Sequence, residues 1–131
     1  KVYLNDTGLV NYSMQTKLDE NIGRLMENAV LLELKRRESR GEITGVYYWR
    51  DYQQREVDFI VKKGLEVKQL IQVTYASKID EIEKREIRAL KKASEKLNCK
   101  NMLIITWDLE GVIQKENVKL IPLWKWLIKR E

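Results

Sequence analysis

The chain has 131 residues, 44% apolar and 34% charged, with a net charge of +5. That balance suits one folded domain with one sizeable core, excludes a disordered polyelectrolyte, and admits an anionic partner such as nucleic acid without requiring one. There is no histidine and a single cysteine, Cys99, which excludes Ser-His-Asp and Cys-His catalysis, histidine-containing zinc sites and an intramolecular disulfide, and points to a reducing, cytoplasmic setting.

The chain opens "KVYLNDTGLV", a short extended segment with a turn at Asp6-Thr7-Gly8. It lacks an initiator methionine and reads as a piece of a longer protein. Asp19 is a candidate cap for a helix over 19–38, in which Leu18, Ile22, Leu25, Met26, Ala29, Leu32 and Leu34 recur at helical spacing. Within it "AVLLEL" is apolar nearly all round, so this helix is expected to be deeply buried.

Three strands are predicted next: 45–51, 55–63 and 66–76, with a turn at Lys63-Gly64. Their short connections predict an antiparallel meander. Residues 79–98 read as a second helix with Ile79, Ile82, Ile87, Leu90, Ala93 and Leu97 inward and charges outward. The apolar strand "NMLIITWD" (101–108) follows, and a helix between two strands predicts parallel pairing there. "NVKLIP" is a short strand, and Pro122 begins a last small helix, "LWKWLIK". The order α-β-β-β-α-β plus a terminal strand and helix makes an α/β domain, a mixed sheet flanked by helices. No apolar run is long enough to span a bilayer, so no membrane partner is expected.

Polar residues inside apolar strands are the candidate chemistry. Asp58 sits within "REVDFIV", and Gln72 and Thr74 within "LIQVTYAS". Burying such groups is costly unless each other, a water or a metal ion satisfies them. Strand alternation puts Glu56, Asp58 and Ile60 on one face and Val57, Phe59 and Val61 on the other. The turn at 63–66 brings Asp58 opposite or diagonal to Gln72. Glu27 lies on a helical stripe with Gly23, Val30, Leu31 and Leu34 that borders the apolar face. Glu27, Asp58 and the Gln72 side-chain oxygen are hard donors of the kind Mg²⁺ or Mn²⁺ takes, and a metal-bound water is a nucleophile for phosphodiester hydrolysis.

Plainer roles compete. Asp58 could bond a backbone N–H or pair with Arg50 or Arg55, Glu27 could pair with Arg24 or Lys35, and Gln72 with Thr74 could be a satisfied polar patch. The run Lys35, Arg36, Arg37 and Arg40 could hold phosphates or simply complement the end of its helix. Tyr47, Tyr48 and Trp49 could stack on bases or pack the core. "LWKWLIKR" could pack on its own domain or meet a neighbouring one.

A strand aspartate, a turn, then a strand carrying an acid-x-lysine, preceded by a helix glutamate, is the core of the PD-(D/E)XK nucleases, and this chain resembles it. More narrowly, "KVYLNDTGL", "GRLMENAVLLELKRR", "YYWRD", "EVDFIV" and "LIQV" resemble the C-terminal domain that follows the ATPase module in many archaeal and bacterial AAA-type ATPases. The resemblance spans most of the chain and implies a restriction-endonuclease-like fold for residues 1–131. It implies Glu27 and Asp58 as metal-binding acids, with Gln72 at the place of the second strand acid and Thr74 at that of the lysine. The last two are departures: glutamine brings no charge, and threonine cannot stabilise developing charge as an ammonium does. Lys62, Lys68 and Lys78 are the nearest substitutes in sequence. Two functions are expected to compete: a metal-dependent nuclease, and a non-catalytic docking module. Partners would be an upstream ATPase domain, nucleic acid or further copies of the chain. No Gly-x-x-x-x-Gly-Lys-Ser/Thr loop is present, so ATP hydrolysis by this segment is not expected.

Overall fold

The computed structural model describes residues 2–3, 9–11, 22–82 and 84–129. The expected turn at Asp6-Thr7-Gly8 and the Asp19 cap lie outside them. The strands are β1 (Val2–Tyr3), β2 (Leu9–Asn11), β3 (Gly45–Arg50), β4 (Glu56–Lys63), β5 (Glu66–Val73), β6 (Met102–Thr106), β7 (Gly111–Ile113) and β8 (Val118–Pro122). The helices are α1 (Ile22–Ser39), α2 (Lys84–Leu97) and α3 (Leu123–Ile128), with a 3₁₀ turn at Ile79–Glu81. The strands make one mixed sheet in the order β1-β2-β3-β4-β5-β6-β8-β7. Pairing is antiparallel from β1 through β5 and between β7 and β8, and parallel for β5 with β6 and β6 with β8.

The predicted meander, crossover helix and α-β-β-β-α-β order are therefore present. β7 is an addition to the expected elements: three half-exposed or exposed residues give it no apolar run by which to be read. β5 is shorter than expected and stops at Val73, so Thr74 lies beyond the strand.

Apolar side chains alternate to two faces. On one, α2 sets Ala89, Leu90 and Ala93 against Trp49, Val57, Ile60, Leu70, Ile104 and Leu120. On the other, α1 and α3 set Met26, Val30, Leu31, Leu34 and Trp126 against Val46, Phe59, Ile71, Val73 and Ile105. The inward stripe of α1 is rotated from the expected one, since Ile22, Leu25 and Leu32 are exposed. The true stripe includes the neighbours of Glu27, which turns that acid toward the sheet.

Alternation also fails at one place on β4. Tyr47 pairs with Ile60 and Trp49 with Val57, so two β4 residues, Asp58 and Phe59, stand against Tyr48 alone. This bulge sends Val57 to the α2 face and Phe59 to the α1 face, correcting the expectation that they share one. Ile60 is fully buried where the sheet meets α2. Ile60→Ala is expected to cost about 2–5 kcal/mol, read as a lowered urea midpoint with unchanged slope.

Candidate functional site: an acidic cleft where two strands part

β4 and β5 run as a ladder from Lys63↔Glu66 to Phe59↔Ile71 and then separate. Backbone groups beyond that point still require partners, and side chains supply them. The Asp58 N–H donates to Gln72 Oε1 at 2.9 Å, and the Val73 N–H donates to Asp58 Oδ2 at 2.9 Å. Gln72 Nε2 donates to the carbonyls of Glu56 at 2.9 Å and Glu86 at 3.2 Å. Gln72 is thus buried and ties β4, β5 and α2 together.

The base of the hairpin between β3 and β4 is held similarly. Asp51 Oδ1 accepts the N–H groups of Gln53 and Arg55, and Asp51 Oδ2 pairs with Arg55 Nε at 2.8 Å. Arg50 Nε pairs with Glu56 at 2.9 Å. Both arginines considered as partners for Asp58 therefore have other carboxylates beside them.

Arg24, Glu27, Tyr48, Arg50, Glu56, Val57 and Asp58 line an open cleft of about 440 Å³. Glu27 reaches it from α1, with Arg24 at 3.9 Å. Burial raises the Glu27 carboxyl above its ordinary range, Arg24 works against this, and Glu56 adds to it. Asp58 is pushed up to about 8, first by desolvation and then by the charge of Glu27, with the Val73 N–H opposing and Glu86 and Glu56 adding. A desolvated carboxyl beside another acid is stabilised either by a proton or by a cation.

Glu27 and Asp58 have the chemistry to take a hard divalent cation, because both carboxylates line the cleft, both are desolvated, and the charge of Glu27 opposes that of Asp58. Gln72 does not line the cleft, and its oxygen already takes the Asp58 N–H. Among the described residues, no cluster of three or more His, Cys, Asp or Glu is arranged for a metal. Thr74 is half-buried past the end of β5, where its N–H donates to Ile105 O at 2.9 Å. Lys62 stands over the Tyr47 ring at the far end of β4, and neither it, Lys68 nor Lys78 lines the cleft. The cleft's cations are Arg24 and Arg50. With Tyr48 and Glu56, they line the cleft; the sequence named Arg24 and Arg50 as ion-pair partners, Tyr48 as a stacking or core residue and Glu56 as sharing the face of Asp58, none of them as site residues.

The basic run of α1 is elsewhere. Arg37 follows Glu27 by ten residues, about 15 Å along the helix axis. Arg36, Arg37 and Arg40 converge on the buried Glu33, Lys35 pairs with Glu38, and Arg40 also pairs with Glu42. Burial alone would raise Glu33, but the Arg37 and Arg36 hydrogen bonds hold it below the usual carboxylate range. Arg37 also stacks 4.5 Å from the centre of the Trp126 ring and fastens α3 to α1. Of the aromatics considered for base stacking, Tyr48 and Trp49 are buried and Tyr47 is half-buried.

The class so defined is a mixed α/β domain with an acid-lined cleft at the parting of two central strands. The family described as "Domain of unknown function (DUF4143)" matches residues 22–126, and the chain belongs to it. It is similar to "Uncharacterized protein MJ1544" of Methanocaldococcus jannaschii, with 39% identity across 96% of this chain. The chain spans 29% of that relative's length. No solved structure matches it. No helix among the described residues is long and apolar enough to cross a membrane.

Two outcomes follow from the fork. Gln72→Leu leaves the Asp58 N–H and two carbonyls without this partner and is expected to cost about 2–4 kcal/mol in urea unfolding. Asp58 titrates at about 3.9 when unfolded and at about 8 in the fold, so between those values the folded state holds more protons. Its contribution to stability is full below about pH 4 and falls as pH rises through about 8. Urea titrations in EDTA should show this decline in the wild type and lose it in Asp58→Asn.

Proposed function

We propose that this is a nuclease-like domain that has given up hydrolysis and serves as an interaction module of a longer, ATPase-containing protein. The observation that carries the reading is the commitment of Gln72. Its side chain bonds the backbone of β4 at Asp58 and Glu56 and of α2 at Glu86, where an active PD-(D/E)XK site would present a carboxylate to metal. Thr74, in the place of the lysine, carries no charge and lies past the strand end.

The remaining acids retain one property of the ancestral site. Glu27 and Asp58 would hold a divalent cation, and in an active relative that ion would supply Lewis-acid activation of water. Here Asp58 holds the Val73 N–H and takes up a proton when no cation is present. Arg24 and Arg50 bring positive charge to the cleft edge, but among the described residues no lysine lines it beside Asp58 to stabilise charge on a reacting phosphate. The module reading also draws on length, since the chain matches under a third of its relative. It draws as well on α3, where Trp124 and Ile128 remain exposed while Trp126 is buried.

The test is calorimetric titration of Mg²⁺ and Mn²⁺ into the wild type and Asp58→Ala, paired with cleavage assays on DNA and RNA. Weak binding that Asp58→Ala abolishes, with no cleavage, is the expected result. Metal-dependent cleavage by the wild type that Asp58→Ala removes would overturn the reading. Gln72→Glu combined with Thr74→Lys is expected to tighten Mn²⁺ binding at least tenfold if the fold still holds the ancestral geometry.

A further inference from the structure

The face of the sheet that carries α1 and α3 holds a small pocket away from the acid cleft. Its position follows from strand register. Leu103 of β6 pairs with Lys119 of β8, and Ile105 with Ile121. Alternation then turns Leu103, Lys119 and Ile121 to the side of Phe59, Ile71 and Ile105, where α3 packs. Gln69 of β5 and Asn101 just before β6 lie on that side too, with Gln69 Nε2 donating to Asn101 Oδ1 at 3.4 Å. Trp126 of α3, with Arg37 of α1 stacked on its ring, borders a space of about 110 Å³ above them.

The lining divides by chemistry. Leu103, Ile121 and Trp126 are buried and give an apolar floor. Arg37, Lys119 and Lys129 bring three cations, Gln69 and Asn101 bring two amides, and among the described residues no carboxylate lines the pocket. Arg37 is committed to Glu33 and to the carbonyl of Trp126 at 3.4 Å, which fixes it as a wall. Lys119 is exposed and forms no ion pair among the described residues. Through Asn101 and Lys119 the pocket adjoins an open hollow of about 310 Å³ that Lys100 and Asn117 also line, again without a carboxylate among the described residues. An anion at Lys119 therefore meets positive potential from both sides.

We propose that this pocket binds a short branched-chain carboxylate, its alkyl group against Leu103, Ile121 and Trp126 and its carboxylate on Lys119. Each part of the lining selects against a different alternative. A hydrated inorganic anion would shed water against the apolar floor with nothing in return. A neutral hydrocarbon would gain nothing from Lys119. A cavity of about 150 Å³ holds the six carbons of benzene, so this one holds roughly four, an isobutyl group. A nucleoside exceeds that space. The inference goes beyond the proposed function and rests neither on the acid cleft nor on the loss of hydrolysis.

The experiment follows the side-chain amides of Gln69 and Asn101 and the Trp126 indole N–H in nitrogen–proton correlation spectra. Isovalerate is added to the wild type at constant ionic strength in EDTA. A ligand this small is expected to bind with a Kd of about 1 mM and to shift these signals. Lys119→Gln is expected to weaken it at least fivefold, while Lys91→Gln on α2, across the sheet, should leave it within twofold. Isoamyl alcohol keeps the alkyl group without the charge, and inorganic phosphate keeps charge without the alkyl group; each is expected to bind at least fivefold more weakly than isovalerate. Variant spectra that otherwise overlay the wild type's show that the fold is kept. No shift in the wild type at tens of millimolar isovalerate, alcohol or phosphate binding as tightly as isovalerate, or an unchanged affinity in Lys119→Gln would each overturn the proposal.

Discussion

The parting of β4 from β5 is the constraint on which the rest of the structure turns. A sheet that opens in its middle leaves N–H and C=O groups facing each other too far apart to bond, and they cannot be left bare in an interior. Asp58 and Gln72 fill the gap from opposite strands, each meeting the other strand's backbone. Gln72 extends the same fastening to α2 through Glu86 O. An amide suits this task because it donates and accepts at once. A glutamate here could accept the Asp58 N–H but could donate to neither carbonyl when ionised.

The fork also explains the electrostatics of the cleft. Asp58 is held by the ladder's end, close to the acids of α1, β4 and α2, so its charge is opposed from three sides. Proteins tolerate such a group when a proton, cation or function offsets its cost. The same carboxyl both carries this repulsion and holds the Val73 N–H, so whatever relieves the repulsion also tightens the fork.

Charge is distributed according to the same economy of partners. In α1, arginines gather around a buried glutamate and clamp α3, so a conspicuously basic stretch is spent on packing. In α2, the lysines and arginines point away from a sheet-facing apolar stripe and meet few acids. Composition alone does not distinguish the two helices. What separates them is that α1 has a carboxylate held by the core, Glu33, for its arginines to gather on, whereas Glu95 on α2 is exposed.

Much of this was legible in the sequence. Periodicity located α1, the three-strand meander, α2 and β6, because long apolar patterns leave few ways to bury themselves. The turn between β4 and β5 was enough to bring Asp58 opposite Gln72, since register in a hairpin follows from its loop. The tertiary structure decided the rest. Whether Glu27 faced the core depended on the rotation of α1, which packing against the sheet and α3 selected over the stripe of most apolar residues. The bulge at Asp58–Phe59 broke the alternation on which any face assignment along β4 relied. Gln72 acquired its role only when α2 brought the Glu86 carbonyl within reach, fourteen residues away in sequence and 3.2 Å away in space. A sequence records which groups need partners; which partner each one finds is fixed by the three-dimensional contacts that satisfy all of them together.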